Sequence, residues 1–191
     1  MAILLAFSPF IAFVIIERLL GIGPGLTAAA LVSAILLLRD AMSPERKMKI
    51  LEVGTFILFA GLAAYATTED ANDWRIATVR LYVDGGLLLI VLISLLMRRP
   101  FTLQYAREQT PERVRNTPAF VRANYVITGA WAAAFAVMVV ADLLLLYAPQ
   151  LPHIIAIVVT IAALYAVFKF TSWYPRRAEG LEKSGAGHPQ G

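Results

Sequence analysis

Long apolar runs alternate along this chain with short polar breaks. Runs at about 2–20, 22–39, 50–67, 76–97, 120–147 and 152–174 each approach the ~20 residues that an α-helix needs to cross a bilayer. The break "GIGPG" at 21–25 leaves room for a tight turn only, so the first two runs should pair as a helical hairpin. "SPER" at 43–46, "TPER" at 110–113 and Thr117-Pro118 each place Ser or Thr before Pro, which predicts helix starts. The expected fold is all-α: six transmembrane helices arranged as three hairpins in one domain over 1–174, followed by a disordered polar tail over 175–191.

Composition supports that pattern. Of 191 residues 59% are hydrophobic and 16% charged, and the mean hydropathy is +0.70, above what a soluble domain carries. The spans consume most of the chain and leave no separate soluble domain. The absence of cysteine excludes disulfides, thiolate metal sites and cysteine nucleophiles. The two histidines, His153 and His188, fall at a span edge and in the tail, so neither a bis-histidine haem nor a metal site is expected. No phosphate loop, nucleophile elbow or HExxH motif occurs, so the sequence predicts neither an enzyme nor a cofactor.

The net charge of +4 changes the picture through its distribution. Arg39, Arg46, Lys47 and Lys49 follow the second run, and Arg98, Arg99, Arg107, Arg113, Arg115 and Arg122 follow the fourth. Lys169, Arg176, Arg177 and Lys183 lie at or beyond the end of the sixth. These positions share one side of a six-span arrangement, and the positive-inside rule then places both termini in the cytoplasm. The same rule accounts for the basic balance without nucleic acid. Trp74 and Tyr147 at outer edges and Trp173 and Tyr174 at an inner one fit as interfacial anchors.

The stretch "TVRLYVDGG" at 78–86 breaks the apolar pattern with Arg80 and Asp84. Asp84 would lie roughly 12 Å inside a span starting near residue 76. A charge at that depth costs on the order of 2.5–3.5 kcal/mol even on insertion scales, so it needs partners. Gly85 and Gly86 would let a neighbouring helix approach. Glu17 and Arg18 at the end of the first run, and Asp142 near the end of the fifth, fall at a similar outer depth. Two readings follow. In one, Glu17, Arg18, Arg80, Asp84 and Asp142 line an outer-half cavity for a proton, ion or small solute. In the other, Arg80 and Asp84 pair within their helix and the remaining groups reach toward the outer interface.

Three further polar residues have local explanations. Lys169 can snorkel to inner headgroups, Glu52 suits the positive end of its helix dipole, and His153 sits at an interface. In the long connection at 97–122, Phe101, Tyr105 and Leu103 interleave with Arg98, Arg99 and Arg107. That pattern predicts a short amphipathic helix on anionic lipid, apolar side down, or a surface for a protein partner.

Three elements in order, "FSPF" (7–10), "NDWRIATVRLY" (72–82) and "MRRPFTLQYA" (97–106), resemble the intracellular septation protein A family over roughly residues 7–174. Trp74, Arg98, Arg99 and Pro100 match its pattern, whereas Arg80, Asp84 and Asp142 do not. The resemblance implies a multi-pass bacterial inner-membrane protein without catalytic residues, supporting envelope growth and septation through division or cell-wall-synthesis partners. The leading expectation is therefore a non-enzymatic envelope protein; the alternative is a small transporter or channel built on Arg80, Asp84 and Asp142.

Overall fold

The structure, a computed structural model, describes residues 5–43, 48–68, 75–148, 150 and 152–185, the side chains of His153 and of residues 176–185 excepted. It is all helical: α1 (Ser8–Leu20), α2 (Ile22–Ala41), α3 (Ile50–Thr68), α4 (Ile76–Leu96), α5 (Phe101–Gln109), α6 (Pro118–Tyr147) and α7 (His153–Gly185). Among the described residues, five of these, α2, α3, α4, α6 and α7, are long and apolar enough to cross a membrane. The expected first span is shorter than its apolar run. Pro9 sits in the first turn of α1 and Phe7 caps it with its backbone, leaving 13 residues, about 20 Å at 1.5 Å per residue against a core of ~30 Å.

Neighbouring helices pack in the order α1–α2–α3–α4–α6–α7. Aromatic residues bring the two ends of this series together: Phe7 stacks on Trp131 of α6 at 4.8 Å between ring centroids and meets Phe168 of α7 edge-on at 6.2 Å. Trp131 is fully buried and its indole N–H donates to Thr171 Oγ1 at 3.1 Å. Phe7, Trp131, Phe135, Leu87, Val91, Phe101 and Tyr105 belong to one core, and Phe13, Leu26, Phe59, Val79 and Val83 to a second.

The turns have identifiable causes. Gly21, at φ 98, is the single residue between α1 and α2, a left-handed position that favours glycine. The rest of "GIGPG" already lies in the first turns of α2. At the end of α4, Arg98 N–H donates to Leu95 O at 3.0 Å and Arg99 N–H to Ser94 O at 2.9 Å. Those two bonds make a Schellman cap with Arg98 at φ 54 where glycine is usual. Pro100 then ends the helix and begins the next turn, so the "MRRP" element has a structural reason.

Several sequence expectations are corrected. "TPER" does not begin a helix: residues 110–116 form turns, with Val114 N–H on Pro111 O. The helix starts at Pro118 instead, where Thr117 Oγ1 accepts from Phe120 N–H. The tail expected from residue 175 is helical to Gly185, since α7 runs through Pro175; "RRAEGLEK" is rich in good helix formers. The "SPER" element beyond Ser43 and the Trp74 anchor lie outside the described residues.

Candidate functional site

On the α4–α6–α7 side the bundle gathers charge inside the apolar region. Arg80 projects from the second turn of α4 and places Nη2 3.5 Å from Asp142 Oδ1 on α6 and 3.1 Å from Thr160 Oγ1 on α7. Asp142 is fully buried, and neither of its carboxylate oxygens receives a well-formed hydrogen bond. The Asp84 carboxyl, also buried, is close enough to interact with it directly. Arg80 keeps 26% of its side chain exposed and so connects this buried pair to the surface. One guanidinium therefore pairs with Asp142 and acts on Asp84 through its field, and among the described residues no other charged side chain is shown in the group.

Of the residues expected from the sequence, the structure joins Arg80, Asp84 and Asp142 but not Glu17 and Arg18. Those two pair with each other at 3.8 Å at the end of α1, with Arg18 largely exposed. The pairing of Arg80 is between helices, with Asp142, rather than along α4. Gly86 does mediate close packing: a Cβ there would stand 2.5 Å from Leu58 Cδ1, whereas one at Gly85 would meet open space.

A second charged cluster, missed in the sequence, lies elsewhere in the bundle, on α2, α3 and α5. Lys49, 3% exposed in its side chain, contacts Asp40 of α2, Glu52 of α3 at 3.6 Å and Glu108 of α5 at 3.0 Å. Arg39 reaches Asp40 at 2.9 Å and Glu52 at 4.0 Å. Tyr105 of α5 donates to Glu52 Oε1 at 3.1 Å and lays its ring under the Lys49 ammonium at 5.2 Å. Gln104 Oε1 accepts from Ile50 N–H at 2.9 Å, covering one of the free N–H groups at the start of α3.

The cluster holds Lys49 charged and Tyr105 neutral. Burial works against the Lys49 charge, but the hydrogen bonds it donates to Asp40 and Glu108 and the field of Glu52 outweigh it, so its pKa lies above the ordinary lysine value. Burial, then the neighbouring Glu52 carboxylate, push the Tyr105 phenol up from its ordinary value. Among the described residues no three acid or histidine side chains converge on a metal position; here the ammonium of Lys49 occupies the centre.

The apolar side of α5 faces inward, which corrects the expectation of a lipid-facing surface. Phe101 and Tyr105 are buried in the protein core, and Thr102 bonds Asn124 O and Thr128 Oγ1 on α6. Packing against α6 and bonding to α3 thus take the face that the sequence reading gave to headgroups. Arg98, Arg99 and Arg107 remain exposed.

The fold and its buried charges fit a multi-pass α-helical membrane protein. No protein-family model, no curated protein and no solved structure matches the chain.

Proposed function

We propose that the protein is a small membrane transporter or channel in which Asp84 and Asp142 bind a proton or small monovalent cation, with Arg80 as their fixed counter-charge. The carrying observation is the Asp142 carboxylate, fully buried and without a well-formed hydrogen bond from a fixed donor, lying against a second acid, Asp84, and a single guanidinium at 3.5 Å. One cation among two acids leaves one negative charge to be balanced, and a mobile positive charge supplies that balance. Leaving it uncompensated in hydrocarbon costs several kcal/mol. Partly exposed Arg80 marks the side of access. In this reading the basic residues at the α5 end favour that end as cytoplasmic and the Arg80 end as external, by the positive-inside rule.

The test is flux in proteoliposomes carrying a pH-sensitive or cation-sensitive dye. Asp84→Asn and Asp142→Asn should insert and fold yet abolish flux; normal flux in both overturns the reading.

The second reading, an envelope protein acting through division or wall-synthesis partners at the bacterial inner membrane, has exposed Arg98, Arg99 and Arg107 in its favour. Replacing all three by Gln would then weaken co-purification with such partners while leaving thermal stability unchanged.

A further inference from the structure

We propose that Glu52 and Thr55 form a second, inner station that holds a buried water and passes protons between the cytoplasmic end and the bundle interior. The proposal rests on the transport reading above and adds its inner half.

The geometry starts from two orphaned atoms. Glu52 is 4% exposed and Thr55 1% exposed. Glu52 uses Oε1 to accept from Tyr105 while no donor reaches Oε2, its carboxyl lying beside that of Asp40, and Thr55 Oγ1 has no hydrogen-bond partner. Residues three apart lie on the same face of a helix, so both unsatisfied groups open onto one side of α3. A buried polar atom left unpaired costs about 1–3 kcal/mol. A water with polar partners on more than one side removes that cost, and such waters are normal parts of protein interiors. Threonine donates and accepts through one hydroxyl, and a carboxyl gains and loses a proton, so the pair has the chemistry of a relay.

The surroundings separate this station from the outer one. Facing Glu52 are Arg39 and Asp40 of α2, Lys49 just ahead of α3, and Tyr105 and Glu108 of α5. Close approaches of Gly54 to Ile90 and of Gly86 to Leu58 set the register of α3 against α4. In that register Thr55 lies about 7.5 Å along the bundle axis from the level of Asp84. Buried Phe59 and Leu87 occupy the interval. The two stations therefore sit at two depths of one bundle, divided by an apolar layer. From the cytoplasmic side α5 covers the inner one: Tyr105, Gln104 and Glu108 tie that helix to α3 and Lys49 by polar bonds.

Two measurements on the full chain in lipid nanodiscs and proteoliposomes test the station. Infrared difference spectra in ordinary and heavy-oxygen water should show an O–H stretch of a bound internal water that is lost in Thr55→Val and restored in Thr55→Ser. Proton flux should fall by about tenfold in Glu52→Gln and in Thr55→Val, the order expected when one buried polar partner is removed. A water band unchanged by Thr55→Val overturns the station. Normal flux in Glu52→Gln beside a silent Asp84→Asn overturns the station alone, whereas normal flux in Asp84→Asn overturns the transport reading.

Discussion

Arg80 of α4 and Asp142 of α6 meet across 3.5 Å inside the apolar part of the bundle, and the same guanidinium holds Thr160 of α7. One side chain thus joins three helices. Removing one partner of a buried ion pair costs about 3–5 kcal/mol, because the survivor is left charged and desolvated. Arg80→Gln should lose stability on that scale, and Arg80→Gln combined with Asp142→Asn should regain much of it. Thermal or denaturant unfolding in detergent checks the double-mutant cycle; additive losses would mean that the two groups do not interact.

Access to the site is directly measurable because the chain has no native cysteine. Asp84→Cys should react with a small membrane-impermeant thiol reagent added outside intact cells. Leu87→Cys, about one turn deeper and buried, should not. Failure of the first to label would leave Asp84 as a packing element.

The inner cluster predicts an alkaline transition. The folded pKa values of Lys49 and Tyr105 both lie above their ordinary ones. Their contribution to stability is therefore complete below about pH 10 and is lost as pH rises through the folded values. Melting temperature should fall as pH rises above that point. Tyr105→Phe should cost about 1 kcal/mol at neutral pH and make the alkaline fall shallower; an unchanged slope would show that the phenol does not contribute.

Glycines on facing helices should differ sharply. A Cβ at Gly54 would stand 2.7 Å from Ile90 Cγ1 and 2.8 Å from Cγ2, atoms close to a branched backbone-proximal carbon. Gly54→Ala should therefore destabilise by about 1–3 kcal/mol. Gly85→Ala meets open space and should be neutral or stabilise by up to about 1 kcal/mol. Thermal unfolding of the two variants side by side decides it.

Arg98 holds a left-handed conformation at φ 54. Arg98→Gly should raise stability by about 1 kcal/mol by relieving the Cβ clash, measured by the same unfolding assay. A loss would show that the arginine side chain makes a contact worth more than the strain.

The sequence disclosed what depends on local pattern. The helices α2, α3, α4, α6 and α7 follow from runs of apolar residues, and Arg80, Asp84 and Asp142 were conspicuous because charge inside such a run has no local excuse. The inner cluster was hidden for the opposite reason. Glu52 suits a helix start and Lys49 suits a cytoplasmic loop, so each had a sufficient local explanation; their meeting with Asp40 and Glu108 depends on how α2, α3 and α5 fold together. A glutamate entering an apolar run, with a tyrosine set among arginines further on, was the available signal. For α5, periodicity showed that one face was apolar but not whether lipid or protein covers it; burial of Phe101 and Tyr105 decides for protein. Glu17 and Arg18 matched the outer group in depth alone, and depth does not specify which side of the bundle a residue occupies.

The ring of Phe7 rests on that of Trp131, a partner encoded far downstream. During synthesis the Phe7 ring emerges without this partner and lacks it until α6 and α7 have left the ribosome. The first hairpin is thus finished by the last one. A chain stalled or truncated before α6 would leave the Phe7 ring without Trp131 and Phe168, whereas Phe10 would already have Phe59 of α3 at 5.0 Å.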